Sequence, residues 1–512
     1  KSGKGTLAKL TFPDATTMVM TFDAPSPLAA DRMAMWVNGN IGRNGPAWMF
    51  AFHYLKAFHP KYNKSVPKNW DTVGGLWERK ADWMQNPACP VMNGFKTKSF
   101  SNGSGVVLER NPYYYAVMPN GDQLPYIDTI NIATVQDANV GLLGLQQGKY
   151  DFCFGNFNQV DLSSVQTLKA SADKANTNIV FWDSGDGTGS IMFLNYDYPD
   201  DEIRKVFRDK RFRQALSLGF NRDNANKALY FGLALTTTGT LAVKAKEYVQ
   251  DANGQKMFGL WRNSYIKYDV GAANKLLDDM GMKKGSDGNR RLPSGKKFVL
   301  NLDFATDIGK TEAAKDDQLV SDWKKIFINA RRNPITPQAY GDSWTAGKLM
   351  VHTNWGVGDG PNHLVYPQWF VPIESSRWAP LEGAFYNAIG TSAEHKEQNV
   401  NPWKRNPPRL EPDKTGPIQK MWDLYNRTKI EPDETKRTQL VYEILKIHVS
   451  DGPFFQGSAA NAPFVMVVKR DLSNVPTRDN LAQHGFAAPW IHPTPAVYDP
   501  ETWFWEDPSQ HS

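Results

Sequence analysis

The sequence predicts an α/β protein built from two or three domains. Three observations carry that expectation. The chain has 512 residues, more than one hydrophobic core serves, since domains usually hold about 100–200 residues. Apolar residues make up 41% and charged residues 22%, the balance of an ordinary globular chain. From about residue 241 onward, strand-like runs take turns with amphipathic ones, and that alternation reads as α/β.

Element by element, the alternation Met18, Met20, Phe22 predicts a half-buried strand. A helix-like "PLAADRMAMWV" follows, then a loop-rich stretch from Trp70 to Asn111 that contains a strand over Val106–Glu109. "TINIATVQD" (Thr129–Asp137) is β-branched and alternating, hence a strand. Val140, Leu142, Leu143 and Leu145 then mark a short helix, with Gly148 at its C-terminal stop. Asn178–Ser184 and Ser190–Asp197 read as two strands of a hairpin around the turn "GDGTG". Lys210–Phe220 is a helix, and Asn221 caps the next, which Gly232 ends.

The later region repeats the theme. "AANKLLDDMGM" carries Ala272, Leu276 and Leu277 on one stripe, "KKFVLNLDFAT" is a strand, and "DDQLVSDWKKIFINA" is a second amphipathic helix. A Pro-rich surface loop lies over 399–417, and Thr435–His448 is a helix that buries Leu440, Val441, Ile444 and Leu445.

Composition excludes several functions. The net charge of +6 is spread out, with only short clusters such as Arg208–Arg213; phosphate binding needs concentrated positive charge, so no nucleic-acid partner is expected. No run of about 18 apolar residues is present, so no membrane span is expected. Cys89 and Cys153 show no metal spacing, and the nine histidines form no paired-His motif, so neither metal nor cofactor is expected. His352 and His363 read as structural. "GDGTGSIMFL" lacks the Lys-Ser/Thr of a phosphate loop and precedes a strand, and no GxSxG elbow occurs. These gaps argue against an enzyme. The 17 tryptophans stand out, because flat apolar faces suit sugars and peptide side chains as well as cores.

Several blocks in order carry a resemblance. "LERNPYYY…GDQLPYIDTI…LLGLQQGKYDF" holds Arg110, Asn111, Pro112 and Tyr114, then Leu124, Pro125, Tyr126 and Asp128, then Leu145, Gly148 and Asp151. Gly94, Phe95 and Lys96 precede them; Phe207, Asp209, Arg211, Arg213, Ala215 and Arg222 follow. This pattern resembles the solute-binding proteins of ABC importers of the oligopeptide, dipeptide and nickel class. Asn221 departs from it, standing where the family usually has Asp.

The resemblance implies a two-lobe periplasmic-binding-protein fold (type II, cluster C) with a hinge and an interlobe ligand cleft. On that reading 1–110 is a partial first-lobe subdomain, 111–240 the first-lobe core, 241–450 the second lobe and 451–512 the return to the first. The sequence opens where such proteins are already well inside their first lobe, so the N-terminal part of that lobe is expected to be absent. The implied function is capture of an oligosaccharide or oligopeptide and its delivery to a membrane permease. The chain would act as a monomer, at the periplasmic or extracellular face, with or without a lipid anchor. An oligopeptide-specific binder is the alternative, then a non-transport sensor or a hydrolytic enzyme.

For the ligand, the resemblance points to "MVHTNWGVGDGPNHLVYPQWFVP", where Asn354, Trp355 and Asp359 are candidates and Asp359 could receive a peptide amine. Tyr340 and Trp344 precede it and could line the same wall or simply pack. Asn156, beyond a strand end, and Trp182, at the end of another, are the remaining candidates, with Trp378 weaker.

Overall fold

The computed structural model describes residues 7–33, 50–72, 74–155, 160–183, 192–239, 243–307, 310–353, 362–365, 367–375, 377–480 and 499–511. The chain divides into two compact units, Lys1–Ala30 with Gly185–Ala462, and Asp31–Ser184 with Pro463–Ser512. The sequence suggested a boundary near 240; the contacts put it near 184. The reason is packing. Helix Lys210–Leu218 lies on helix Val270–Asp279, and helix Arg222–Tyr230 on helix Lys310–Lys324, so 201–230 shares a core with the region that follows it.

The first unit holds a five-stranded sheet in the order Ala330–Ile335, Leu300–Ala305, Val351–Thr353, Met192–Leu194, Phe455–Gln456. The first three strands are parallel. Met192–Leu194 runs antiparallel to both of its neighbours. Side chains alternate across a strand, so each sheet face has its own core. One face packs Leu300, Leu302, Val351, Met192 and Leu194 against Phe207, Phe212, Leu277 and Trp323. The other bears the cross-strand row Asn333, Asp303, His352, Phe193, Phe455, of which Phe193 and Phe455 join Trp261, Phe370, Trp378 and Trp422 in a second core.

Two arginines of the family-like block are buried struts of this unit. Arg222 donates to the carbonyls of Thr237, Gly457 and Ser217 at 3.0, 2.9 and 2.9 Å, with no carboxylate to offset its burial, which pushes its pKa down to about 9. Arg213 bonds the Phe207 carbonyl at 2.6 Å and also the Asp451 carbonyl. Together they tie the Asp451–Gly457 segment to helix Lys210–Leu218.

In the second unit, Pro463–Lys469 is the middle strand between Phe152–Gly155 and Thr177–Asp183, antiparallel to both. A separate sheet joins Phe95–Ser101, Gly105–Arg110 and Thr129–Ala133. Asn111 acts as a buried clamp: its amide donates to the Asn93 carbonyl at 3.0 Å and its oxygen accepts from Tyr113 N. Tyr113 and Tyr115 are 91% and 78% exposed, so the triple-tyrosine run frames the fold and is not a packed grip. Asp137 caps helix Ala138–Gln146. Gly148 follows at φ +71°, where a Cβ would sit 2.6 Å from the Ala175 carbonyl.

One expectation needs correction. Thr177–Asp183 and Met192–Leu194 do not form a hairpin with each other. The first pairs with 463–469 in one unit and the second with 351–353 and 455–456 in the other. Local alternation predicts a strand but is silent about its partner. Elsewhere the elements fall close to expectation: Val19–Thr21, Thr129–Ala133, Leu300–Ala305 and the helix Glu434–Ser450. Asn221 caps its helix through Asn224 N at 3.0 Å. Asp209 splits the region before it into two helices by capping Lys210–Leu218. Both cysteines are free thiols, and burial pushes the Cys153 thiol up to about 11.

Candidate functional site

The carboxyl ends of parallel strands in open α/β sheets are where ligands bind, because the connections leaving the sheet there let side chains converge. Strand Val351–Thr353 ends at such an edge of the first unit. Helix Pro337–Thr345 stands beside it, started by the Thr336 cap and Pro337 in the first turn. Tyr340 and Trp344 are four residues apart and so share a face. Their rings meet edge-on at 5.3 Å. The Tyr340 hydroxyl donates to the Thr353 carbonyl at 2.7 Å and pins the helix to the strand end. Burial first, and then the nearby Asp303 and Asp316 carboxylates, hold that hydroxyl protonated far above the usual tyrosine range.

His352 is 2% exposed. Its ring meets Trp344 edge-on at 4.1 Å and stacks on Phe193 at 5.0 Å. Burial, and then the Arg377 charge, push its pKa down to about 3, against a hydrogen bond with the Arg377 backbone. The imidazole is therefore neutral at physiological pH. Trp369 lies nearly parallel to Phe193 at 6.3 Å. The Arg377 guanidinium sits 3.6 Å from the Trp369 ring centre and 5.7 Å from that of Trp344, a cation held between two indoles.

Two ion pairs lie in this region. Arg377 faces Glu374 at 3.3 Å. Lys315 and Asp316, on helix Lys310–Lys324, lie 2.6 Å apart at 1% and 0% side-chain exposure. Asp303, next to His352 in the sheet row, accepts from Asn333 Nδ2 at 2.6 Å and Met350 N at 2.7 Å. Several polar atoms nevertheless remain shielded from solvent without a hydrogen-bond partner among the described residues, including the neutral Trp344 Nε1, His352 Nδ1, Thr353 Oγ1 and Gln368 Oε1 and the charged Lys315 Nζ and Asp316 carboxylate. Each neutral one costs about 1–3 kcal/mol unless something satisfies it. The wall thus holds two indoles, with Arg377 lying on the ring of Trp369, and a few buried hydrogen-bonding groups.

Of the residues singled out in the sequence, Tyr340 and Trp344 come together here. Asn354, Trp355, Asp359 and Asn156 lie outside the described residues. Trp182 belongs to the second unit's core, 0% exposed, with its indole N–H on the Pro476 carbonyl at 2.8 Å and Phe152 and Phe154 against it. Trp378 is also fully buried, stacked on Phe454 at 4.4 Å. Sequence reasoning passed over Phe193, Trp369, Arg377, Lys315 and Asp316 as site residues and took His352 as structural. For His352 a signal existed: alternation in "LMVHTN" sets a polar ring in a strand one step from its end. Arg377 and Trp369 are eight positions apart in irregular chain, and no periodicity joins them.

Among the described residues no group of three or more His, Cys, Asp or Glu side chains could hold a metal ion, and no helix is long and apolar enough to cross a membrane. A family model described as bacterial extracellular solute-binding proteins, family 5 Middle, matches residues 3–374. The chain is 25% identical over 326 residues to a periplasmic alpha-galactoside-binding protein of Rhizobium meliloti (strain 1021), covering 59% of this chain and 42% of that protein. It thus matches less than half the length of this curated relative. A solved oligopeptide-binding protein, OppA, superposes with a TM-score of 0.67 at 26% identity, covering 98% of this chain and 75% of that one. The periplasmic binding protein MelB from Agrobacterium fabrum C58, solved in complex with stachyose, gives a TM-score of 0.64 at 18% identity, over 98% and 67% of the two chains.

Proposed function

The chain belongs to the bacterial extracellular solute-binding proteins of family 5, and from that membership we propose that it is the substrate-binding component of an ABC importer. It captures an oligosaccharide or oligopeptide and delivers it to a membrane permease. The observation that carries this reading is the family match across 3–374. The fold, that of the two-lobe type II periplasmic binding proteins, agrees with it. The Trp344–His352–Trp369–Arg377 wall supplies part of the ligand contact, and Asn354, Trp355 and Asp359, which follow His352 in the chain, supply more. Asn156 is the second unit's candidate; Trp182 drops out, because it is buried with its indole N–H already bonded. Binding shifts the population toward the ligand-holding conformation, because only differential contact energy can move that equilibrium.

The chain makes and breaks no bond in its solute, acts as a monomer, and works at the extracellular or periplasmic face, free or lipid-anchored. An oligopeptide-specific binder is the second reading. The 26% identity and 0.67 TM-score with an oligopeptide-binding protein favour it, and Asp359 would then meet the peptide amine. A thermal-shift screen tests the whole reading: a micromolar solute raises the melting point by mass action and is recovered intact. Trp355→Ala and Asp359→Ala reduce that shift. A consumed ligand would move the protein to a hydrolytic class, and a panel of sugars and peptides without any shift would remove the transport reading.

A further inference from the structure

We propose that Phe50, Phe52 and Tyr62, with Lys56, Lys61, Lys64 and Lys68, form a surface in the second unit that docks on an anionic phospholipid membrane. Aromatic rings make its base. Phe50 meets Trp77 edge-on at 5.7 Å, Trp77 meets Trp70 at 5.4 Å, and Trp70 meets His59 at 4.6 Å. His59 meets Tyr62 at 5.8 Å, and Tyr62 meets Phe52 at 5.3 Å. The middle of this chain of rings, Trp77, Trp70 and His59, is half-buried. Its ends stand in solvent, with Phe50, Phe52 and Tyr62 at 38%, 57% and 51% exposure. Linked apolar surface of this kind, rimmed by charge, marks an interaction site.

The rim is basic. Lys56 Nζ sits 5.8 Å from the Phe52 ring centre and Lys61 Nζ 5.3 Å from that of Tyr62. Lys64 and Lys68 lie in the loop that joins Tyr62 to Trp70. All four lysines are exposed, and the chain from Phe50 to Trp70 holds no Asp or Glu. Just beyond it, Asp71 and Glu78 are offset by Arg79 and Lys80. That charge selects the occupant. A second copy of this face would set lysines against lysines. A soluble polyanion would pair with the lysines and leave the rings in water. An anionic bilayer takes both: its headgroup phosphates meet the ammonium groups, and the rings seat at the headgroup level, where aromatic side chains gather at membrane interfaces. Lysine suits the rim because its stem is apolar and its charge sits at the tip. The contact is peripheral, since no helix among the described residues is long and apolar enough to cross a membrane. Solute plays no part in it, so its failure would leave the importer reading untouched.

The test is co-sedimentation of the full chain with vesicles of phosphatidylcholine alone and with vesicles that add about 30% phosphatidylglycerol, at about 0.1 M salt. The expected result is at least about tenfold tighter binding to the anionic vesicles, lost at about 0.5 M salt. Each basic side chain near such a surface strengthens binding about fivefold. The combined variant Lys56→Gln, Lys61→Gln, Lys64→Gln, Lys68→Gln therefore loses the preference for anionic vesicles. The control Lys256→Gln, Lys414→Gln, Lys420→Gln, Lys436→Gln, at four exposed lysines of the first unit, keeps it. Phe52→Ser with Tyr62→Ser weakens vesicle binding about tenfold and leaves binding to soluble polyphosphate unchanged. All these changes fall on exposed side chains, and thermal melting confirms that the variants fold. Equal binding to the two kinds of vesicle overturns the proposal. An equal loss from the two lysine sets also overturns it, because the binding would then follow net charge. Vesicle binding untouched by loss of the two rings overturns it as well and leaves a plain polyanion site.

Discussion

Replacing Arg208 by Met separates charge from packing in the first unit, because Met keeps an apolar stem where Arg208 lies over Tyr196 at 4.7 Å. Arg208 Nη2 lies 3.0 Å from both Asp197 Oδ1 and Glu382 Oε1, and those carboxylates are 0% and 1% exposed. Asp197 has further support, accepting from Leu381 N and Glu382 N at 3.0 Å each. Glu382 Oε2 has no hydrogen-bond partner among the described residues. Burial is the largest cause raising both carboxyls, Glu382 well above its ordinary range, and Arg208 pulls each back. Without Arg208, two buried carboxylates share a site uncompensated, and breaking such a buried pair costs about 3–5 kcal/mol. The 30% side-chain exposure of Arg208 puts the expectation at the lower end of that range.

The pH dependence identifies the cause. A carboxyl whose folded pKa is raised stabilises the fold fully below its unfolded pKa, and that contribution is lost as pH rises through the folded value, at up to about 1.4 kcal/mol per pH unit. Losing Arg208 raises both carboxyls further, so Arg208→Met costs more at pH 8 than at pH 5. Adding Glu382→Gln removes one of the two charges and restores part of the loss at pH 8. Hydrogen exchange followed by mass spectrometry over 192–208 and 377–388 reads the local opening free energy directly. An equal cost at both pH values would refute the electrostatic reasoning and leave packing on Tyr196 as the contribution of Arg208.

Two further outcomes follow from single positions. Gly148→Ala forces a Cβ at φ +71° to 2.6 Å from the Ala175 carbonyl, so helix Ala138–Gln146 should lose more than about 1 kcal/mol of protection in hydrogen exchange; unchanged protection would show that the turn relaxes. Burial first pushes His448 down to about 4, although its Nε2 bonds the Phe370 carbonyl at 2.7 Å. Its contribution is present above the unfolded value of about 6.5 and lost as pH falls toward 4, so His448→Gln should flatten the acid limb of urea unfolding measured between pH 4.5 and 7.

Much of the fold was legible because its causes are local. The stripe Leu440, Val441, Ile444, Leu445 predicts a buried helix face whatever it packs on. Asn221 caps a helix because its own side chain reaches Asn224 N. The strand at Thr129 follows from β-branched alternation. The candidate site was less legible. Tyr340 and Trp344 share a helix face, so spacing alone joins them, but His352 meets Trp344 only because strand Val351–Thr353 lies beside that helix. Trp182 shows the same limit from the other side: a tryptophan at a strand end reads as available, and only the sheet Phe152–Gly155, Pro463–Lys469, Thr177–Asp183 encloses it.

By itself the sequence determined the α/β class, several of the helices and strands, the Asn221 cap and the family, all of which follow from short-range spacing or from motifs in order along the chain. Only the tertiary structure decided that Thr177–Asp183 and Met192–Leu194 part company into different sheets. It alone decided that 185–240 sides with the later region, and that Arg377, Trp369 and His352 gather around Trp344. The physical reason is that a side chain's periodicity fixes which way it faces, whereas its neighbours are chosen by burial and pairing across hundreds of residues, which no local pattern records.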